Sequence, residues 1–212
     1  MMHLKFVRVK YPLVVLSLLF APLTTLAEIP KCVGTSSTVE ASTPTARFDF
    51  SNNNELVRDL VTGLTWTRCP LGYSIDPNIN GCVAKPGATL ILGWKDAIAK
   101  SVDPAGDGTG SYLGKTSWRV PNIKELASII EHGCLSPSVN KIVFPNTPVG
   151  AYWTNSPISA EGASLTAWVV DFGNGKADVM DASYSSVGNT SNGTPIFAPN
   201  ATHFVRLVRN SD

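Results

Sequence analysis

What the sequence lacks narrows it first. It contains no C-x-x-C, no pair of histidines at zinc-ligand spacing and no G-x-S-x-G. The first two absences remove the usual thiol-redox and zinc motifs, and the third removes the nucleophile elbow of serine hydrolases. Beyond residue 27 only His132 and His203 remain, one at a predicted helix end and one at a predicted strand start. Lys and Arg never cluster into a run, and phosphate binding needs a concentrated basic face, so nucleic acid is not an expected partner. No segment after residue 27 approaches the length of a bilayer span.

What is present begins with a compartment. Lys5, Arg8 and Lys10 precede an uncharged apolar run, YPLVVLSLLFAPLTTLA, that ends on Thr25-Leu26-Ala27. Basic start, apolar middle and small final residue are the three parts of a secretory signal peptide, so residues 1–27 are expected to be removed. The remaining 185 residues lose three positive charges, leaving 14 basic against 16 acidic side chains, a net charge of −2. That length suits one domain with a short arm. The protein is expected to be exported, to the periplasm, cell surface or extracellular space.

Cys32, Cys69, Cys82 and Cys134 all fall in the exported part, where oxidation is favoured. An even count reads as two disulfides, with three connectivities open. Cys69 and Cys82 bracket the turn-rich PLGYSIDPNING and form a natural short staple. Cys32 and Cys134 then pair across the domain.

Residues 28–46 are rich in Ser, Thr and Pro without apolar periodicity, and are expected to be an extended arm tied down at Cys32. The domain proper is expected over 47–212. RFDF at 47–50 alternates like a strand, and ELVRDLVTGLTWTRC reads as a hairpin turning near Val61-Thr62-Gly63 with Trp66 in the core. WKDAIAKSV places Trp94, Ala97, Ile98 and Val102 on one helical face. The glycine- and aspartate-rich loop 103–117 does not follow the ligand order of a calcium loop, and no metal or other cofactor is expected.

WRVPNIKEL, residues 118–126, is a strand-to-helix joint. Pro121 ends the extended segment. Ile123, Leu126, Ala127 and Ile130 then fall at i, i+3, i+4 and i+7, which predicts a helix over 123–131. Asn122 is the expected N-cap and Glu125 stands at the position that reaches back to it. Arg119 is expected to pair locally. After proline-punctuated FPNTPVG, AYWTNS reads as a strand with Tyr152 and Trp153 on opposite faces. AWVVDFGNGKADVM reads as a hairpin with Trp168, Val170 and Phe172 on one face and Gly173-Asn174-Gly175 in the turn. HFVRLVR reads as a terminal strand completing a sheet near the N-terminus.

In this order, DLVTGLTWTRCPLG, WKDAIA, WRVPNIKELASII, FPNTPVGAYWTNSP, AWVVDFGNGK and FVRLVR resemble the C-terminal domain family of the bacterial collagen-like protein Lcl, across about residues 47–209. The family is similar to C-type-lectin-like and formylglycine-enzyme-like folds. The resemblance implies a compact α+β domain, with two short helices on a twisted antiparallel β-sheet. It also implies an exported bacterial protein, since the namesake domain is a trimeric, glycosaminoglycan-binding adhesin module. The residues themselves depart from that pattern: Lys95, Lys100, Lys115, Lys124 and Lys141 are dispersed, and no collagen-like repeat precedes the domain. Formylglycine enzymes use late cysteines, and no thiol follows Cys134.

No catalytic set emerges, so the protein is not expected to be an enzyme; Asp171, Asp178 and Asp181 read as solvated hairpin carboxylates rather than a glycosidase pair. Two functions remain. One is an adhesin or lectin-like module recognising carbohydrate or a surface protein, and oligomerisation is compatible with it. The other is a structural or accessory subunit of an envelope or pilus assembly without a small ligand. The interaction surface is expected on the polar excursion 181–202 together with Asn155, with Asp181, Tyr184, Asn189 and Asn192 as ligand-binding candidates. Sequons at Asn189, Asn192 and Asn200 read as composition in a bacterial chain.

Overall fold

The computed structural model describes residue 32 and residues 40–50, 54–158, 165–183 and 202–211. The architecture is α+β, mainly sheet with two short helices and two disulfides. The expected chain order holds. β1 (Phe48–Asp49), β2 (Leu56–Asp59) and β3 (Leu64–Thr67) form an antiparallel meander, and the last strand, β9 (Val208–Asn210), pairs with β3 to give the order β1-β2-β3-β9. Gly63 closes the β2–β3 turn at φ +69°, a left-handed conformation that a residue with a Cβ adopts only with strain. β4 (Tyr73–Asp76) and β5 (Gly81–Ala84) are the hairpin stapled by Cys69–Cys82, whose Cα atoms lie 5.6 Å apart. The second disulfide joins Cys32 to Cys134, at 5.4 Å. Both pairings are those expected from the spacing, and two disulfides fit an exported protein.

α1 (Trp94–Val102) follows, then α2 (Ile123–Ala127). The cap of α2 is the expected one: Asn122 accepts from the Glu125 N–H at 2.9 Å, and Glu125 accepts from the Asn122 N–H at 2.8 Å. The same carboxylate receives both terminal nitrogens of Arg119, at 2.7 and 2.8 Å, so the arginine of WRVPNIKEL is held locally. The helix is shorter than the expected 123–131. Ser128 ends it by bonding its hydroxyl to the Glu125 carbonyl, and the chain continues in turns through Ile130. Those turns carry Glu131 to a wholly buried position, where its carboxylate accepts the backbone N–H and hydroxyl of both Ser42 and Thr43.

Residues 40–46, expected as part of a loose arm, are therefore built into the domain. Thr45–Arg47 form a 3-10 turn, and Arg47 pairs with the buried Asp59 at 2.5 Å.

β6 (Ala151–Ile158), β7 (Thr166–Asp171) and β8 (Lys176–Asp181) make an antiparallel sheet in that order. It separates two cores, because successive side chains of a strand point to opposite faces. Tyr152, Val170 and Phe172 join Trp66, Leu126 and Phe144 on one side; Trp153, Val169 and Ala167 join Trp118, Ala97 and Leu207 on the other. The expected split of Tyr152 from Trp153 thus feeds two cores. The terminal segment differs from the uniform strand expected over 203–209: only Val208–Asn210 are a strand, while His203 bridges Leu92 and Phe204 bridges Tyr152. Among the described residues, no helix is long and apolar enough to cross a membrane.

Candidate functional site

The described part of the expected surface lies at one end of the β6–β7–β8 sheet. In β6, Trp153 pairs with Val169 and Pro157 with Ala167, so residues 154–156 bulge opposite Trp168 alone. Bulges re-aim side chains, often at sites. Asn155 is exposed on this bulge, which is pinned to the segment leading into α2: the Asn155 N–H donates to the Pro121 carbonyl at 2.7 Å, and the Ser156 hydroxyl accepts from the Ile123 N–H at 3.0 Å. Thr154 donates its hydroxyl to the Trp168 carbonyl at 2.7 Å.

Trp168 is the residue that periodicity placed on one face with Val170 and Phe172. It shares their face but belongs to neither core and remains half-buried. Its cross-strand partner is Val179, an exposed residue of β8, and two residues along the same face Thr166 pairs with Asp181. Directly paired side chains share a face. One sheet face therefore carries an accessible indole, an exposed aliphatic and a carboxylate, with Asn155 on the bulge beside it. Asp181 accepts from the Ser183 N–H at 2.8 Å, which holds its carboxyl below the usual aspartate range. Tyr184, Asn189 and Asn192, with the sequons, lie outside the described residues. Asn155 and Asp181 stand on the two outer strands of one sheet, either side of β7.

A second concave feature, which the sequence reading did not find, runs beside α1. It is an open groove of about 1090 Å³ between the outer face of α1, the 85–92 segment and the start of the 103–117 loop. Lys85 projects into it, its ammonium 5.3 Å from the Tyr112 ring centroid and 3.4 Å from the Tyr112 hydroxyl. The Tyr112 carbonyl accepts from the indole N–H of the buried Trp118, which fixes that corner to the core.

The strongly perturbed groups lie elsewhere and are structural. Arg206 is wholly buried and, among the described residues, has no carboxylate partner: it donates to the carbonyls of Thr67 and Arg68 and to the Thr147 hydroxyl, and stacks 4.6 Å over Phe144. Burial pulls its guanidinium down to about 10 and pushes the Tyr152 hydroxyl up. Arg68 is likewise spent on the carbonyls of Asn54, Ile142 and Val143. Burial also lowers His203, whose ring lies 4.6 Å from Trp153. No group of three or more His, Cys, Asp or Glu that could hold a metal occurs among the described residues.

The order of motifs and the geometry they build can now be set against known families. The profile of the Lcl C-terminal domain matches residues 55–209. The chain belongs to the Lcl C-terminal domain family. No match is found among curated proteins. Within the Lcl C-terminal domain lie the whole of the β6–β8 sheet, the bulge at Asn155, Trp168 and the groove beside α1. The buried latch at Glu131 is different, since its donors Ser42 and Thr43 precede the matched region.

Proposed function

We propose that the protein is an exported, adhesin-associated binding module that recognises carbohydrate or a surface partner and acts by recognition rather than catalysis. The observation that carries this reading is the half-buried Trp168, flanked on its own sheet face by Val179, Thr166 and Asp181, with the β6 bulge that exposes Asn155 opposite it across the strand pair. An indole presents a flat apolar face to the C–H side of a sugar ring, while amide and carboxylate groups at its rim bind hydroxyls. The chain leaves β8 at Asp181, and the segment that follows in sequence carries the remaining candidates Tyr184, Asn189 and Asn192.

A glycan array on the exported protein tests the reading, with light scattering for oligomeric state. Trp168→Ala should weaken retained glycans about tenfold, the size of one aromatic contact. Replacing 185–199 by a Gly/Ser linker should abolish adhesion with the melting temperature nearly unchanged. Retained binding in both variants refutes the placement. The second reading, an accessory subunit of an envelope or pilus assembly, draws support from β8, whose outer edge pairs with no strand among the described residues. Co-purification with an envelope complex, without glycan binding, would favour it.

A further inference from the structure

The groove beside α1 has a composition that selects its ligand. One wall is the α1 face bearing Asp96, Ala99 and Lys100, at helical spacings of three and four, continued by Asp103 just past the end of the helix. Leu71 and Leu92 form an apolar floor continuous with the second core. Lys85 and Tyr112 close one end.

Two lysines and two aspartates line the groove, so the fixed charges cancel. A polyanion drawn to Lys85 and Lys100 would meet Asp96 and Asp103. A hydrocarbon would desolvate all four charges without replacing their hydrogen bonds. Ammonium groups only donate and carboxylates only accept, so the ligand must do both along its length. Hydroxyl groups do both from one atom type, and the C–H faces of sugar rings suit an aliphatic floor with an aromatic end. Asp103 retains acceptor capacity: its two oxygens each take one backbone N–H, from Gly106 at 3.2 Å and Gly108 at 3.0 Å, which also fixes the carboxylate in place.

We propose that this groove is a binding site for a short uncharged oligosaccharide, with Lys85, Lys100 and Asp103 bonding its hydroxyls and Leu71, Leu92 and Tyr112 carrying its apolar faces. The inference rests on the reading of the protein as a carbohydrate-recognition module and adds a sugar surface on the opposite face of the β6–β8 sheet from Trp168.

The test is amide chemical-shift mapping of the disulfide-bonded exported protein, titrated with neutral gluco-, galacto-, manno- and N-acetylhexosamine oligosaccharides and, separately, with heparin oligosaccharides. A neutral sugar should shift amides of 85–92 and 96–106. Ala99→Trp, which fills the groove from an exposed helix position, should weaken it by about tenfold or more; Lys100→Met, which keeps the stem and removes the ammonium, should weaken it severalfold, and both variants should melt like the wild type. Neutral sugars that shift only β7 and β8, indifferent to both variants, would overturn the groove site and leave the proposed function standing. Heparin binding in the groove without neutral sugars would overturn the ligand class. Binding of neither kind of sugar anywhere would overturn this inference together with the carbohydrate reading beneath it.

Discussion

The Glu131 latch gives the sharpest energetic prediction, for Glu131→Gln. One carboxylate oxygen, Oε1, accepts from the Ser42 N–H, the Ser42 hydroxyl and the Gly133 N–H at 3.0–3.1 Å; the other, Oε2, accepts from the Thr43 N–H at 2.8 Å and the Thr43 hydroxyl at 2.9 Å. A glutamine offers one acceptor oxygen. Its amide nitrogen at the Oε1 position would face two backbone N–H groups, and at the Oε2 position only one, so the second orientation costs less. The Thr43 hydroxyl can rotate to accept, but the Thr43 N–H is left against a donor. A hydrogen bond to a charged group contributes about 1.5–3 kcal/mol, and the Oε1 bonds weaken when their acceptor becomes neutral. The loss should be about 3 kcal/mol, or about 6–12 °C in melting temperature for a domain of this size. Hydrogen exchange adds the local readout, because amides at 42 and 43 should lose protection before the central strands do. A Gln variant that melts within a degree of wild type and keeps those amides protected would refute the reasoning.

The same carboxylate sets a pH dependence. Burial pushes Glu131 upward, but hydrogen bonds from Gly133, Thr43 and Ser42 together outweigh it and hold the group below its ordinary value of 4.5. A lowered folded pKa contributes stability that is complete above the unfolded value and disappears as pH falls through the folded one. Wild type should therefore lose stability below about pH 4.5 more steeply than the Gln variant.

Two further substitutions probe the frame. Asn122→Ala should destabilise by about 1 kcal/mol in thermal melts while leaving ligand binding unchanged, since the side chain caps α2; lost binding at unchanged stability would make Asn122 a ligand residue. Arg206→Leu should cost about 3–5 kcal/mol, read by denaturant unfolding, because the carbonyls of Thr67 and Arg68 and the Thr147 hydroxyl lose their buried donor; a neutral result would mean that water replaces it.

What the sequence made legible was set by interactions a few residues long. Asn122, Glu125 and Arg119 lie within seven positions, and their whole network was readable because every partner was in view. The Cys69–Cys82 hairpin was readable for the same reason. The end of α2 was not: apolar spacing continues to Ile130, but Glu131 is drawn to Ser42 and Thr43, 89 and 88 residues earlier. HFVRLVR read as a strand, yet nothing in it could show that the Arg206 donors would be taken by backbone carbonyls. Trp168 makes the complementary point. Period two fixed its face correctly, but periodicity carries no information about where a core ends, so its partial exposure was not legible. The groove is assembled from segments near residues 71, 88, 99 and 112, and no local pattern anticipates it.

The position of the latch bears on where the folded unit begins. The family match starts at residue 55, yet Phe48 is buried in the first core, β1 pairs with β2, and the Asn140 amide donates to the Thr43 carbonyl at 2.9 Å. The preceding stretch thus seals the corner where α2 stops short. Cys32–Cys134 closes a loop of 102 residues at that corner, a constraint of about 5 kcal/mol on the unfolded chain by the loop-entropy argument. Covalent and hydrogen-bonded ties therefore converge on 131–134, whereas Trp168 and the α1 groove draw on other elements. A chain cut at residue 55 would keep the residues of both candidate surfaces but expose the first core and leave Glu131 buried without its Ser and Thr donors. Loss of binding in such a fragment would report the missing seal, not the sites, so recognition has to be measured on protein that retains residues 32–50.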